Sequence, residues 1–106
     1  MAIVTPGASP SVHSEAPATG ATVSPSYTGQ NMLVALTPAG TLATLTINYP
    51  SASQFPGMIV RVNSSQIITA LTLTPSVGSI IGAVTTLALG GFCAHQSDGT
   101  NWRRIA

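Results

Sequence analysis

Charge is what this sequence has least of: charged residues make up 5% of its 106 positions, against roughly 25% in an ordinary soluble domain. Lysine is absent, the acids are Glu15 and Asp98, and the bases are Arg61, Arg103 and Arg104. A net charge of +1 carried by three arginines cannot neutralise a run of phosphates, which argues against nucleic-acid binding through a basic surface. The same poverty argues against an anionic membrane or an acidic substrate. A surface this neutral lacks the mixed charge that keeps monomers apart, so an oligomer, or a subunit of a larger assembly, is expected.

Other absences narrow the field further. The single Cys93 has no partner for an intramolecular disulfide. No apolar run approaches the 18 residues a membrane helix needs, and the opening MAIVTPGASP has no basic start and is interrupted by Pro6 and Pro10. It therefore does not read as a signal peptide, and synthesis in a cytoplasm without an export signal is expected. Helical periodicity is missing throughout. Even the Ala- and Leu-containing stretch 80–89 carries Val84, Thr85 and Thr86 between Gly82 and Gly90, which disfavours a helix.

What the chain does have is alternation. In 41–63, Leu45, Ile47 and Tyr49 alternate with Thr44, Thr46 and Asn48, and Met58, Val60 and Val62 alternate with Arg61 and Asn63. Two half-buried strands joined across a Pro-bounded loop, 50–57, are expected, paired as a hairpin or meander. Residues 32–36 form a short apolar run consistent with a buried strand, and 67–74 read as a strand covered on both sides. Shorter strands are expected within 79–89, at 92–96 and at 101–105, with the Asp98-Gly99 pair making a tight hairpin turn between the last two. Many short strands with turn signals every eight to twelve residues predict an all-β domain over 31–106, a small antiparallel β-sandwich or barrel.

Residues 1–30 differ in composition. Pro6, Pro10, Pro17 and Pro25 stand among Ser, Thr, Ala and Gly, with Tyr27 the lone aromatic, which suits an extended arm that cannot fold by itself. Ordering thirty residues costs at least about 30 kcal/mol of backbone entropy. Offsetting this by apolar burial at about 25 cal/mol per Å² takes on the order of 1,000 Å², more than a domain of about 70–75 residues has to spare. The arm is therefore expected to lie along neighbouring subunits, with Ile3, Val4, Val12, Val23 and Tyr27 as partner contacts.

Groups able to do acid or base work are few: His13, Glu15, His95 and Asp98. Cys93 and His95, two apart on a strand, share a face and could pair as thiolate and imidazole or as two metal ligands. Two ligands do not make a zinc site, and the plainer expectation is a packed thiol and a His at a sheet rim. No G-x-S-x-G elbow or phosphate-cradling glycine loop is present. No catalytic residue, metal or cofactor is expected, and Trp102 reads as an anchor of the last strand.

The strings GTLATLTINYP, FPGMIVRVNSS, ITALTLTP, IIGAVTTLALGGF and SDGTNWRRIA, spanning 40–106, together resemble a β-rich module of tailed-bacteriophage virion proteins. The match departs at Pro56, where an acidic residue is more usual before the glycine. The resemblance implies a non-enzymatic structural role in the virion, commonly as a homotrimer. A single module behind an arm is similar in organisation to capsid decoration (cement) proteins, which tie major capsid protein subunits together. The alternative is a fibre, tail-tip or head-fibre module binding a host-surface receptor, which an exposed group of Tyr49, Phe55 and Trp102 would favour.

Overall fold

A computed structural model describes residues 11–106, so Ile3 and Val4 lie outside the described residues. Nine strands follow in chain order: β1 Ser11–Glu15, β2 Thr22–Val23, β3 Met32–Leu36, β4 Leu42–Tyr49, β5 Ile59–Ser64, β6 Ile68–Pro75, β7 Ile80–Ile81, β8 Phe92–Ser97 and β9 Trp102–Arg104. The all-β expectation holds. The expected antiparallel sandwich or barrel does not: the first six strands wind as a parallel β-solenoid.

Within these six, odd and even strands alternate between two walls. One wall is a six-stranded sheet ordered β1-β3-β5-β8-β9-β7, and the other is a three-stranded sheet ordered β2-β4-β6. Register carries Ser11 onto Met32 and Met32 onto Val60 in the first wall, and Thr22 onto Thr46 and Thr46 onto Thr72 in the second, all in parallel. Each circuit therefore crosses from wall to wall and returns in the same direction. The expected hairpin between β4 and β5 is corrected accordingly, since these strands belong to opposite walls and do not pair.

The connections explain this. A two-residue turn would fold a strand back on its neighbour, whereas residues 50–58 carry the chain across the core. Ala52 is buried on the way. Its carbonyl accepts from Ser97 Oγ at 2.6 Å, and the Pro50 carbonyl accepts from the Trp102 indole at 3.0 Å. Parallel strands cannot be joined by tight turns, and alternation of period two is the same for either direction of pairing.

The core lies between the walls. Met32, Val34, Leu36, Val60, Val62 and Cys93 face inward from one, and Leu45, Ile47, Tyr49, Leu71 and Leu73 from the other. In β4 and β6 the inward phase slips by one residue, between Leu42 and Leu45 and between Ile68 and Leu71, at the same register. Beyond the slip, β6 exposes Thr72 and Thr74, which corrects the expectation of a strand covered on both sides.

Residues 11–30 correct the arm reading. β1 and β2 are the first coil of the solenoid, paired to β3 and β4 of the same chain, and Val23 is fully buried in the core. Tyr27 packs on that core and donates its hydroxyl to the Asn48 carbonyl at 2.6 Å. The surface needed to order this stretch comes largely from the chain itself, because stacking coils buries what no single coil can. At the other end β8 turns antiparallel to β5, and β9 antiparallel to β8. The Asp98-Gly99 turn forms there as expected, with Gly99 at φ 93°.

Candidate functional site

The histidine, cysteine and carboxylate side chains fall into three separate places. On β1, His13 and Glu15 share a face two residues apart, with Nε2 and Oε1 2.9 Å from each other and both partly exposed. At the β8–β9 turn, Asp98 accepts from the backbone of Asn101 at 2.7 Å and of Thr100 at 2.9 Å, and from Arg103 Nε. Those bonds, the Asn101 amide first, hold its carboxyl down at about 2, so Asp98 is a fixed anion of the turn.

The third place is inside the antiparallel β8–β9 end of the solenoid, its cap. His95 is fully buried beside Tyr49, their rings 5.9 Å apart and edge to face, with Nδ1 3.4 Å from the tyrosine hydroxyl. Its Nε2 has no hydrogen-bond partner among the described residues. Burial lowers its pKa and Arg104 lowers it further; the Gly82 backbone, a loose partner outside ordinary hydrogen-bond geometry, opposes the drop in part. Burial likewise pushes the Cys93 thiol up to about 11 against a small opposing pull from Arg104. Cys93 and His95 both face inward, as their spacing predicts, but the thiol is held neutral and away from solvent, the opposite of an activated nucleophile. No group of three or more metal-ligating side chains and no pocket is found among the described residues.

Of the expected partner contacts, the structure exposes Val12, buries Val23 and half-buries Tyr27. Tyr49 and Trp102 are core residues at 2% and 0% exposure, so the aromatic group that would mark a receptor site does not come to the surface.

Two surface features emerge that the sequence reading did not assemble. The first is an edge: among the described residues, no strand pairs with the outer side of β1. The second is the contrast between the two outer faces. On the three-stranded wall Thr22, Thr46 and Thr72 align in register, with Ser24 bonded to Asn48 beside them. On the six-stranded wall Val12, Leu33, Arg61 and Ala94 form one row and Ser14, Ala35, Asn63 and Phe92 the next. The available signal was the run 32–36, apolar in both phases of the alternation, which reads equally well as a strand buried on both sides.

No protein-family model, curated protein or solved structure matches this chain. No helix among the described residues is long and apolar enough to cross a membrane.

Proposed function

We propose that this chain is a structural subunit of a tailed-bacteriophage particle, a capsid decoration (cement) protein that binds major-capsid subunits and stabilises their lattice. The observation that carries the reading is the asymmetry of the solenoid. Its last coil is followed by the antiparallel β8–β9 cap, which leaves only the two-residue β7 as the far edge of the sheet, while the first coil presents the outer side of the five-residue β1, uncovered among the described residues. An unpaired strand edge is a template for pairing with another chain, and strand addition is a recurring way of attaching one protein to another. The docking element thus becomes the β1 edge, with Val12 on it, in place of a thirty-residue arm. The candidate acid–base groups support a non-enzymatic role, since Cys93 and His95 are buried in the interior and His13, Glu15 and Asp98 are committed to local pairs. The homotrimer implied by the resemblance belongs to the same proposal.

The test is density from the particle. Cryo-electron microscopy is expected to place the subunit on the outer shell with β1 against its neighbour, and particles lacking it to lose viability faster on heating or in low salt. Equal survival of complete and deficient particles would overturn the cement reading. A fibre, tail-tip or head-fibre module is favoured by the same open-and-capped form, which suits the end of a longer β-structured stalk. Density at a fibre tip, or binding of the purified protein to host cells, would select it.

A further inference from the structure

We infer that the outer face of the six-stranded sheet is a docking face for a different protein, one that sets a carboxylate against Arg61 within an apolar surround. The inference rests on the reading above, that the chain attaches to something larger, and adds which face it uses and what chemistry it meets.

The two outer walls are unlike. Hydroxyls cover the three-stranded wall, where Thr22, Thr46 and Thr72 are in register, and hydroxyls are readily solvated. From the six-stranded wall project Val12 and Phe92, more than 60% exposed, and Ile105, 49% exposed, with Leu33, Ala35 and Ile59 half-covered between them. Ile105 is held onto this face by a backbone bond to Ala94 at 2.9 Å. The four longer strands of this wall, β1, β3, β5 and β8, of five to six residues each, at about 4.8 Å between strands and about 3.3 Å per residue give a flat area of roughly 350 Å² in projection. Apolar patches of about 300–600 Å² are often functional; this face is of that order in extent, its apolar side chains interrupted by Ser14, Arg61, Asn63 and Gln96.

Arg61 stands in the middle of this face, between Leu33 and Ala94 in register. It is exposed, and among the described residues no carboxylate lies within ion-pair distance of it. Arg103, on the same wall, is already bonded to Asp98. A guanidinium without an acid of its own, set among Leu33, Ile59 and Ala35 with Asn63 as its polar neighbour, is complementary to a protein surface that brings one acidic residue in a largely apolar setting. Nucleic acid and anionic lipid call for several cations together. A second copy of this chain fits poorly, because both carboxylate side chains are committed, Glu15 to His13 and Asp98 to Arg103, and it would bring a second Arg61 to the contact.

The experiment places a photo-crosslinking amino acid at Leu33 or, on the opposite wall, at Thr46, in the full chain expressed in the cells that make it. Peptide mapping after illumination is expected to show Leu33 joined to a second polypeptide near an Asp or Glu. Arg61→Glu is expected to reduce retention of that partner at least about tenfold, with unchanged thermal unfolding, and reversing the partner's acid to Lys to restore it. Thr72→Glu is expected to leave retention unchanged. Crosslinks from Leu33 to another copy, to nucleic acid or to lipid, crosslinks from Thr46 alone, no crosslink from either position, or retention indifferent to Arg61→Glu would each overturn the inference. A particle subunit captured only at Thr46 rejects this face but keeps the virion reading. A partner captured at Leu33 that is no particle component does the reverse.

Discussion

Trp102 and Tyr49 meet edge to face in the cap, ring centroids 5.2 Å apart and planes at 82°, and this contact ties the last strand to the wall opposite. Trp102 is also anchored through its indole N–H to the Pro50 carbonyl. Trp102→Phe keeps most of the packing but strands that buried carbonyl, so a loss of about 1–3 kcal/mol is expected. Trp102→Ala adds a cavity and is expected to cost about 3–5 kcal/mol. Urea denaturation followed by circular dichroism checks both, and equal losses would mean the hydrogen bond contributes nothing separable.

The first coil offers a paired test of whether residues 11–30 belong to the folded body. Val23 is fully buried and Val12 is 62% exposed. Val23→Ala is expected to lower stability by about 2 kcal/mol, from two lost methyl groups and an unfilled space. Val12→Ala should stay within about 0.5 kcal/mol. If both are neutral, this segment is a loosely attached arm after all.

Much of this architecture was legible in the residues, and what was not has identifiable causes. Strand positions followed from alternation: the run 32–36 is β3, and the strand expected at 92–96 is β8 one residue short. The Asp98-Gly99 turn followed from its own chemistry. Direction of pairing did not, because Leu45, Ile47 and Tyr49 alternate with Thr44, Thr46 and Asn48 identically in a hairpin and in a coil. Repeat length gave no help either. The coils step from Ser11 to Met32 to Val60, unequal intervals that hide a solenoid's period. In 11–30, proline and serine masked two short strands whose only deep anchor is Val23. The candidate site was hidden for a different reason: Leu33 and Arg61 are neighbours only in a parallel register.

Gly78 supplies a test of the cap. Its φ is +94°, and a Cβ there would lie 2.6 Å from the Thr100 carbonyl oxygen. Gly78→Ala combines a left-handed backbone that costs an L-residue about 1–2 kcal/mol with a clash against main chain that cannot rotate away. A total loss of about 2–4 kcal/mol is expected. Gly40→Ala is the control, since φ there is ordinary and nothing lies within 4 Å of the added carbon. Similar unfolding midpoints for the two variants would contradict the backbone assigned to the cap.

Cys93 tests how tightly the same region closes. The thiol is fully buried, and its pKa is raised to about 11, chiefly by that burial. Alkylation requires the thiolate and access to it. Native protein at pH 8 is therefore expected to react with iodoacetamide at least about a hundredfold more slowly than protein in denaturant, the rate tracking local opening. Rapid native labelling would show that the sheet parts readily at β8.

His95 makes acid stability specific. The groups facing it are the Tyr49 hydroxyl, the Gly82 backbone and Arg104, and no carboxylate among them favours a proton. Its folded pKa lies below the ordinary 6.5, because burial and then Arg104 disfavour the imidazolium. The unfolded chain thus binds a proton at a higher pH than the folded one does. Stability from this group is complete above pH 6.5 and is lost as pH falls from there toward the folded pKa. Urea midpoints measured from pH 8 to pH 5 should fall through that window, and His95→Gln, which cannot titrate, should flatten the profile even if it lowers stability at pH 8. A slope unchanged in His95→Gln would assign the acid sensitivity to another group and leave the buried imidazole without a part in it.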